Sequence, residues 1–252
     1  MNSTIVSKMV GTILSLLPLQ AEADYLLARR VPTGRQVLEI VRLDQDKEKE
    51  IDVLTNNLLL KYFTESGSGT ILSVPFVYKS SPTQETEGLG DLSLTTIQIL
   101  ELTSGWTIAP YLKVRFPTGD FDPKKLSPGN GRFDLSLGMA HTYTTSHLEL
   151  DTLTEYTFQT TNPKTGVDPG DVFHGSLSIA YTHPGFWVGV EGLVKQTGED
   201  QKYDQSIKKS ARTIALGPET RFSLGRGFLL QLGGKLDNKD NISLEGRIFY
   251  NF

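Results

Sequence analysis

The sequence contains no cysteine. That absence excludes a disulfide scaffold and a thiolate metal site. It has no surplus of positive charge either: 25 Lys and Arg stand against 29 Asp and Glu, a formal net charge of −4. The basic footprint of a nucleic-acid binder is missing, so no nucleic-acid partner is expected. No internal stretch approaches the roughly 20 apolar residues that a spanning helix needs. Only 38% of the 252 residues are hydrophobic, and the mean hydropathy is −0.22. These averages exclude a helical inner-membrane protein. They do not exclude a membrane barrel, whose strands alternate apolar and polar residues and so hide their hydrophobicity.

What is present is alternation with a period of two. In the last twelve residues, Ile242, Leu244, Ile248, Tyr250 and Phe252 share one strand face, and Ser243, Glu245, Arg247 and Asn251 share the other, with Phe249 the exception. Phe133, Leu135, Leu137 and Met139 alternate in the same way with Asp134, Ser136, Gly138 and Ala140. Breakers and alternation together mark strands near 35–44, 50–65, 70–79, 91–103, 106–117, 132–144, 147–160, 172–183, 186–196, 210–224, 227–236 and 241–252. The predicted fold class is therefore all-β, a transmembrane antiparallel up-and-down β-barrel of about 12 strands. The competing fold is a soluble β-sandwich or lipocalin-like barrel, whose alternation is the same turned inside out.

The connections favour the membrane barrel. Ser66–Gly69, Ser104-Gly105, Thr145-Ser146, Pro184-Gly185 and Gly225-Arg226 are short turns. Between them lie long segments, Ser80–Gly90, Thr118–Gly131, Thr161–Gly170 and Thr197–Lys209. Short periplasmic turns alternating with long extracellular loops are the habit of bacterial outer-membrane barrels. Phe-Asp-Leu-Ser-Leu at 133–137 echoes Gly-Asp-Leu-Ser-Leu at 90–94 and Gly-Ser-Leu-Ser-Ile at 175–179, a faint hairpin repeat. It places Leu92, Leu94, Leu135, Leu137, Leu177 and Ile179 toward lipid. Aromatic girdles are expected from Trp106, Tyr143, Tyr181, Phe186, Phe228, Tyr250 and Phe252 at the turn end, and from Tyr78, Phe116, Tyr156 and Phe158 at the loop end. Tyr250 and Phe252 also form the terminal aromatic signal expected to be read by barrel-assembly machinery.

At the N-terminus, Lys8, the apolar run Met9–Leu19 and Ala21-Glu22-Ala23 read as a signal peptide over residues 1–23. The barrel is then residues 24–252, in the outer membrane of a Gram-negative cell and in contact with its lipid. The alternative is an uncleaved helix packed in or below the barrel. No passenger domain is expected ahead of the strands.

With the apolar face toward lipid, the opposite face carries Lys61, Glu101, Lys113, Arg115, Arg132, Asp134, Glu149, Asp151, Glu155, Glu191, Lys195, Glu219, Arg221, Lys235, Glu245 and Arg247. A Lys or Arg facing lipid at mid-membrane costs about 2–4 kcal/mol, so these residues must point inward or sit at the rims. Lys113, Arg115, Arg132, Asp134, Asp151, Glu155, Glu191 and Arg247 are the candidates for lining a path and setting its selectivity. The competing reading pairs them across a narrow, closed lumen. The loop from Thr118 to Gly131, with Asp120, Asp122, Lys124 and Lys125, is long enough to constrict the mouth.

Ser73-Val-Pro-Phe-Val77, Gly88-Leu-Gly-Asp-Leu92, Lys113-Val-Arg-Phe-Pro-Thr-Gly-Asp120 and Phe133-Asp-Leu-Ser-Leu137 together resemble the meta-pathway of phenol degradation family of transporter-like outer-membrane proteins. The resemblance covers about residues 50 to 252. It implies an outer-membrane barrel that passes small molecules, hydrophobic or aromatic ones among them. It does not imply an enzyme of phenol breakdown, and it brings no binding residues to carry over.

Enzyme chemistry finds little to build on. Of the four histidines, His141 and His147 flank Ser146 at a turn, without the arrangement of the twelve-stranded outer-membrane phospholipases. His183 falls at another turn. His174 and Glu155 fall opposite one another on neighbouring strands, as a polar contact or an ion-gated site. Asp120 and Asp122 supply two of the six to eight oxygens that Ca²⁺ takes. Gly88-x-Gly90 and Gly129-x-Gly131 precede strands, not helices, and so are not phosphate loops. No catalytic residue, metal site or cofactor is expected. The expected function is a passive channel or transporter for a small-molecule permeant. The alternative is a closed structural or surface-contact barrel without transport.

Overall fold

The computed structural model describes residues 34–47, 50–122, 126–202, 205–225 and 228–251. The strands are β1 (Gly34–Asp46), β2 (Ile51–Phe63), β3 (Ser68–Ser80), β4 (Glu85–Leu89), β5 (Ser93–Gln98), β6 (Leu100–Thr103), β7 (Trp106–Arg115), β8 (Asp134–Thr144), β9 (Leu148–Gln159), β10 (Val167–Asp168), β11 (Val172–His183), β12 (Phe186–Thr197), β13 (Asp200–Lys202), β14 (Gln205–Lys208), β15 (Ala211–Gly225), β16 (Phe228–Asp237) and β17 (Ile242–Asn251). All pairings are antiparallel. The main sheet closes on itself, because β1 bonds both β2 and β17 while β2 also bonds β3. With β4, β5 and β6 forming one interrupted stave, the wall has twelve staves, as the alternation predicts.

The closed ring leaves no free edge, which is the condition for crossing hydrocarbon with strands. Register then fixes every side chain as in or out. On β8, Asp134, Ser136, Ala140 and Thr142 are buried inward, while Leu137 and Met139 are exposed outward. Across the wall the exposed face is apolar, with Leu60, Leu112, Leu137, Leu177, Ile179, Val190, Leu216 and Leu232 among its members. The buried inward face carries Asp134, Asp151, Glu191, Glu219 and Arg247. This inside-out pattern overturns the soluble-sandwich alternative, in which charge would face out.

The turns obey their residues. Gly67, Gly105 and Gly185 hold φ of 80°, 88° and 97° at three of the short connections. L-residues avoid that region. At Gly105 a Cβ would also run into the Thr144 carbonyl. Beside these turns lie aromatic pairs of the lower girdle. Trp106 and Tyr143 lie 4.6 Å apart between ring centroids, Tyr181 and Phe186 6.3 Å, and His183 and Phe186 4.8 Å. At the loop end, Tyr156 meets Phe158 at 4.9 Å and Phe116 meets Phe133 at 6.0 Å.

Three features depart from the expectation. Tyr78 is no girdle residue: it is buried with Val41, Leu43 and Leu54 on the outward face of β1–β3. On the same face Glu39 accepts a hydrogen bond from Asn56, one polar pair where apolar residues are the rule. The third is the break in the fourth stave at Gly90–Leu92. There the loop after β7 replaces the missing ladder. Phe116 N–H donates to Leu92 O at 2.9 Å, while on the other side Gly90 N–H still bonds Pro75 O of β3 at 2.8 Å. The side chains of Phe228 and Tyr250, and the whole of Phe252, lie outside the described residues, as do residues 1–33 with the expected signal peptide. The backbone of Tyr250 pairs with Val37 and Phe228.

Candidate functional site

The lumen has two levels. The lower one, toward the short turns, is buried and has two unlike walls. On the N-terminal side Ile40, Leu59, Phe63, Ile71, Ile97, Ala109, Tyr111, Ala140 and Leu153 form one apolar cluster. Alternation predicts a polar face toward the inside throughout, and this inward apolar cluster departs from it. The run Leu58-Leu59-Leu60 hides the fact, since Leu59 points in, fully buried, and its neighbours point out.

The facing wall is a chain of charge-assisted hydrogen bonds from β9 to β17. The Trp187 indole N–H and the Arg221 guanidinium both donate to Glu149, at 2.9 and 3.1 Å. Arg221 also lies 4.2 Å from the Trp187 ring centroid and donates to Gln231 at 3.0 Å. Gln231 donates to Glu219, and Arg247 donates to Glu219 at 2.6 Å and to Glu245. In a low-dielectric interior, each of these charges is tolerable only because its partner is in place.

Inward aromatics on this level lie flat because glycines sit beneath them. Phe63 covers Gly69, Tyr111 covers Gly138, and a Cβ at Gly189 would stand 2.9 Å from the Trp187 ring. The bare Gly138 backbone lets the Tyr111 hydroxyl cross β8 and donate to Glu155 on β9 at 2.8 Å.

The upper level is a vestibule of about 540 Å³, opening at the loop end and lined by Arg42, Asp44, Lys113, Arg115, Glu155, His174, Lys195 and Lys235 among others. Lys113 pairs with Glu155 at 2.8 Å and Lys235 with Glu191 at 2.5 Å. Asp134 receives two guanidiniums, Arg115 at 2.7 Å and Arg132 at 2.9 Å. His174 and Glu155 are direct cross-strand partners, as their spacing predicts. Lys195 faces the same space, exposed to solvent.

All eight residues singled out as lumen candidates thus lie on the inward side of the wall or at its upper rim. They divide between the levels. Lys113, Arg115, Arg132, Asp134 and Glu155 are upper, Asp151 and Arg247 are lower, and Glu191 sits between them, bonded upward to Lys235. Glu101 is exposed at the turn-end rim rather than inside.

The loop of Asp120 and Asp122 is fastened to the wall beside the mouth. The buried Asp91 carboxylate accepts the N–H of Gly119 at 3.0 Å and of Asn130 at 2.6 Å. Gly119 packs so closely on Gly90 that a Cβ would stand 2.6 Å from its carbonyl carbon. Lys79 reaches Ser127 O at 2.5 Å, and Lys164 reaches Phe121 O at 2.9 Å. No described residue of this loop lines the vestibule. Lys124 and Lys125 lie outside the described residues. The Gly88-Leu-Gly-Asp91 and Pro117-Thr-Gly-Asp120 motifs are therefore the two halves of one latch, a role their sequence did not disclose.

His147, next to Ser146, stacks on Tyr181 at 6.0 Å in a short turn. Among the described residues no group of three or more His, Asp or Glu is placed to hold a metal.

The family described as "Putative MetA-pathway of phenol degradation" matches residues 33–252. No curated protein matches by sequence. Among solved structures the chain is similar to the COG4313 outer membrane channel from Pseudomonas putida F1, with a TM-score of 0.76 and 17% identity over 92% of this chain and 99% of that one. It is similar at TM-score 0.57 to the KdgM porin, 10% identical over 86% of this chain and 99% of that one. It also matches, at TM-score 0.57, the translocator domain of autotransporter NalP from Neisseria meningitidis, 12% identical over 99% and 97% of the two chains. At these identities the likeness is one of fold, that of outer-membrane barrels.

Proposed function

The chain belongs to the MetA-pathway of phenol degradation family, and from that membership and the two-level lumen we propose that it is a passive outer-membrane channel for small molecules. The observation that carries the reading is the vestibule, a solvent-reached space of about 540 Å³ inside a closed wall whose outer face is apolar. A barrel serving only as a scaffold gains nothing from keeping charged side chains wet at one end. The vestibule residues Lys113, Arg115 and Glu155 set selectivity, Arg132 and the buried Asp134 fix Arg115 in place, and the fastened loop after β7 holds the rim in shape. Passage in this reading is passive, down the solute's own gradient. The match of the vestibule's partly apolar lining to its charged rim supports small, partly hydrophobic permeants, aromatic ones included.

The second reading, a closed structural barrel, is favoured by the lower level, where charges are paired and an apolar cluster is packed. Planar-bilayer recording on the refolded protein separates the two, with heat-modifiable migration on gels as the check on folding. Discrete conductance steps support the channel. A folded barrel without steps supports the closed one.

A further inference from the structure

The charges around the vestibule are not evenly engaged. Asp44 accepts from Arg42 at 2.8 Å. Glu155 takes Lys113 and Tyr111, both at 2.8 Å. Asp237 accepts the N–H of Lys239 at 2.8 Å and of Asn241 at 2.9 Å, and Asp46 is engaged as well. Every carboxylate that lines the space already has a partner. The cations are in a different position. Arg115 shares Asp134 with Arg132. Lys195 makes no hydrogen bond or ion pair with any described residue, and the neighbouring charges that act on it most include Arg42, Arg115 and Lys208, opposed by Asp44. Among the described residues that line the space, the uncommitted charge is positive, and it is one ammonium.

Directly below that ammonium the wall turns apolar. Leu193 lies two residues deeper on the same inward face of β12, and its cross-strand partner is Ala215. Leu153 lines the same space from β9. A cation above an apolar floor, in a space within the usual range of small-molecule sites of roughly 300–1,000 Å³, matches a ligand with one anionic end and an apolar body. A cationic ligand would have to displace an existing partner from each acid, and a neutral one would leave the ammonium unused.

We propose that the vestibule is a binding site for small amphipathic carboxylates, the carboxylate held by Lys195 and the apolar body resting on Leu193, Ala215 and Leu153. The proposal rests on the channel reading and narrows it, since the mouth is where a permeant arrives from outside. A single ammonium suits a singly charged head. Arg42 and Arg115, already paired, add long-range attraction without being released.

The test is calorimetric titration of the refolded full chain in detergent with three matched probes: benzoate, benzyl alcohol and benzylammonium. The proposal predicts that benzoate binds tightest. Lys195→Gln should weaken benzoate roughly ten- to hundredfold, the worth of one charge-assisted hydrogen bond, and leave benzyl alcohol unchanged. Lys195→Arg should restore most of the benzoate affinity. Because Lys195 makes no bond in the wall, both variants should keep wild-type heat-modifiable migration. Equal affinity for the three probes, or benzoate binding untouched by Lys195→Gln, overturns the site. Benzoate-selective binding by a barrel that gives no conductance steps supports the site and removes the channel reading. Conductance steps without benzoate preference do the reverse.

Discussion

The two levels of the lumen use the same residue types for opposite ends. Below, Arg247 and Glu219 are buried, each bonded more than once, inside a chain of contacts that crosses from β9 to β17. Above, Arg115 keeps a third of its side chain in contact with solvent, and Lys195 has no partner among the described residues. A charge that is dry must be paired, and it then stabilises the wall only as one of a pair. A charge that is wet contributes little to stability and remains available to a passing solute. Solvent contact, rather than residue type, decides which role an inward charge takes: Asp134, high in the lumen yet buried, is held by two guanidiniums like the lower acids, while Arg115 and Lys195 reach water.

That contrast is broken most severely by removing one partner at the lower level. Glu219→Ala leaves Arg247 and Gln231 without a main acceptor, and should cost about 3–5 kcal/mol. Urea unfolding of the barrel in lipid vesicles, followed by tryptophan fluorescence, measures it, and a loss under 1 kcal/mol would mean that the lower chain is not what holds this wall. Next comes the latch beside the mouth. Asp91→Ala removes two charged hydrogen bonds, each worth about 1.5–3 kcal/mol. We expect about 2–4 kcal/mol and rapid proteolysis within residues 118–131, while the rest of the barrel stays protected.

Gly138→Val tests the flat-lying rings. A side chain there displaces Tyr111 and costs about 1–3 kcal/mol through overpacking, with loss of the Tyr111–Glu155 bond. An unchanged unfolding midpoint would show that the ring has room to move. The smallest stability effect belongs to Arg115→Gln, at most about 1 kcal/mol for a partly exposed pair. If unfolding shows more than 3 kcal/mol, the upper level is structural too and the contrast fails.

Much of this was legible before the structure. Period-two alternation gives the twelve staves because a one-residue slip moves every side chain to the other face. The same rule places His174 opposite Glu155, and Lys113, Arg115 and Asp134 on one inward surface. The latch was not legible as a latch: Gly88–Asp91 and Pro117–Asp120 are 26 or more residues apart in the chain, and only the break in the fourth stave brings them together. The apolar lower wall was hidden for another reason. Leu58, Leu59 and Leu60 in succession carry no phase, so which one points inward depends on neighbouring strands. The small outer sheet of β10, β13 and β14 escaped because short polar strands in loops have no hydrophobic signal. The coupling of Tyr111 to Glu155 through Gly138 needs three strands in register before it exists at all.

The central claim is that wet upper charges select while dry lower charges hold the wall. The most direct measurement is the reversal potential of single channels in a KCl gradient, for the wild type and Arg115→Gln. The account predicts discrete conductance steps in both and a shift toward cation preference when the Arg115 charge is removed. A folded, heat-modifiable barrel with no steps, or a reversal potential that Arg115→Gln leaves unchanged, would contradict it.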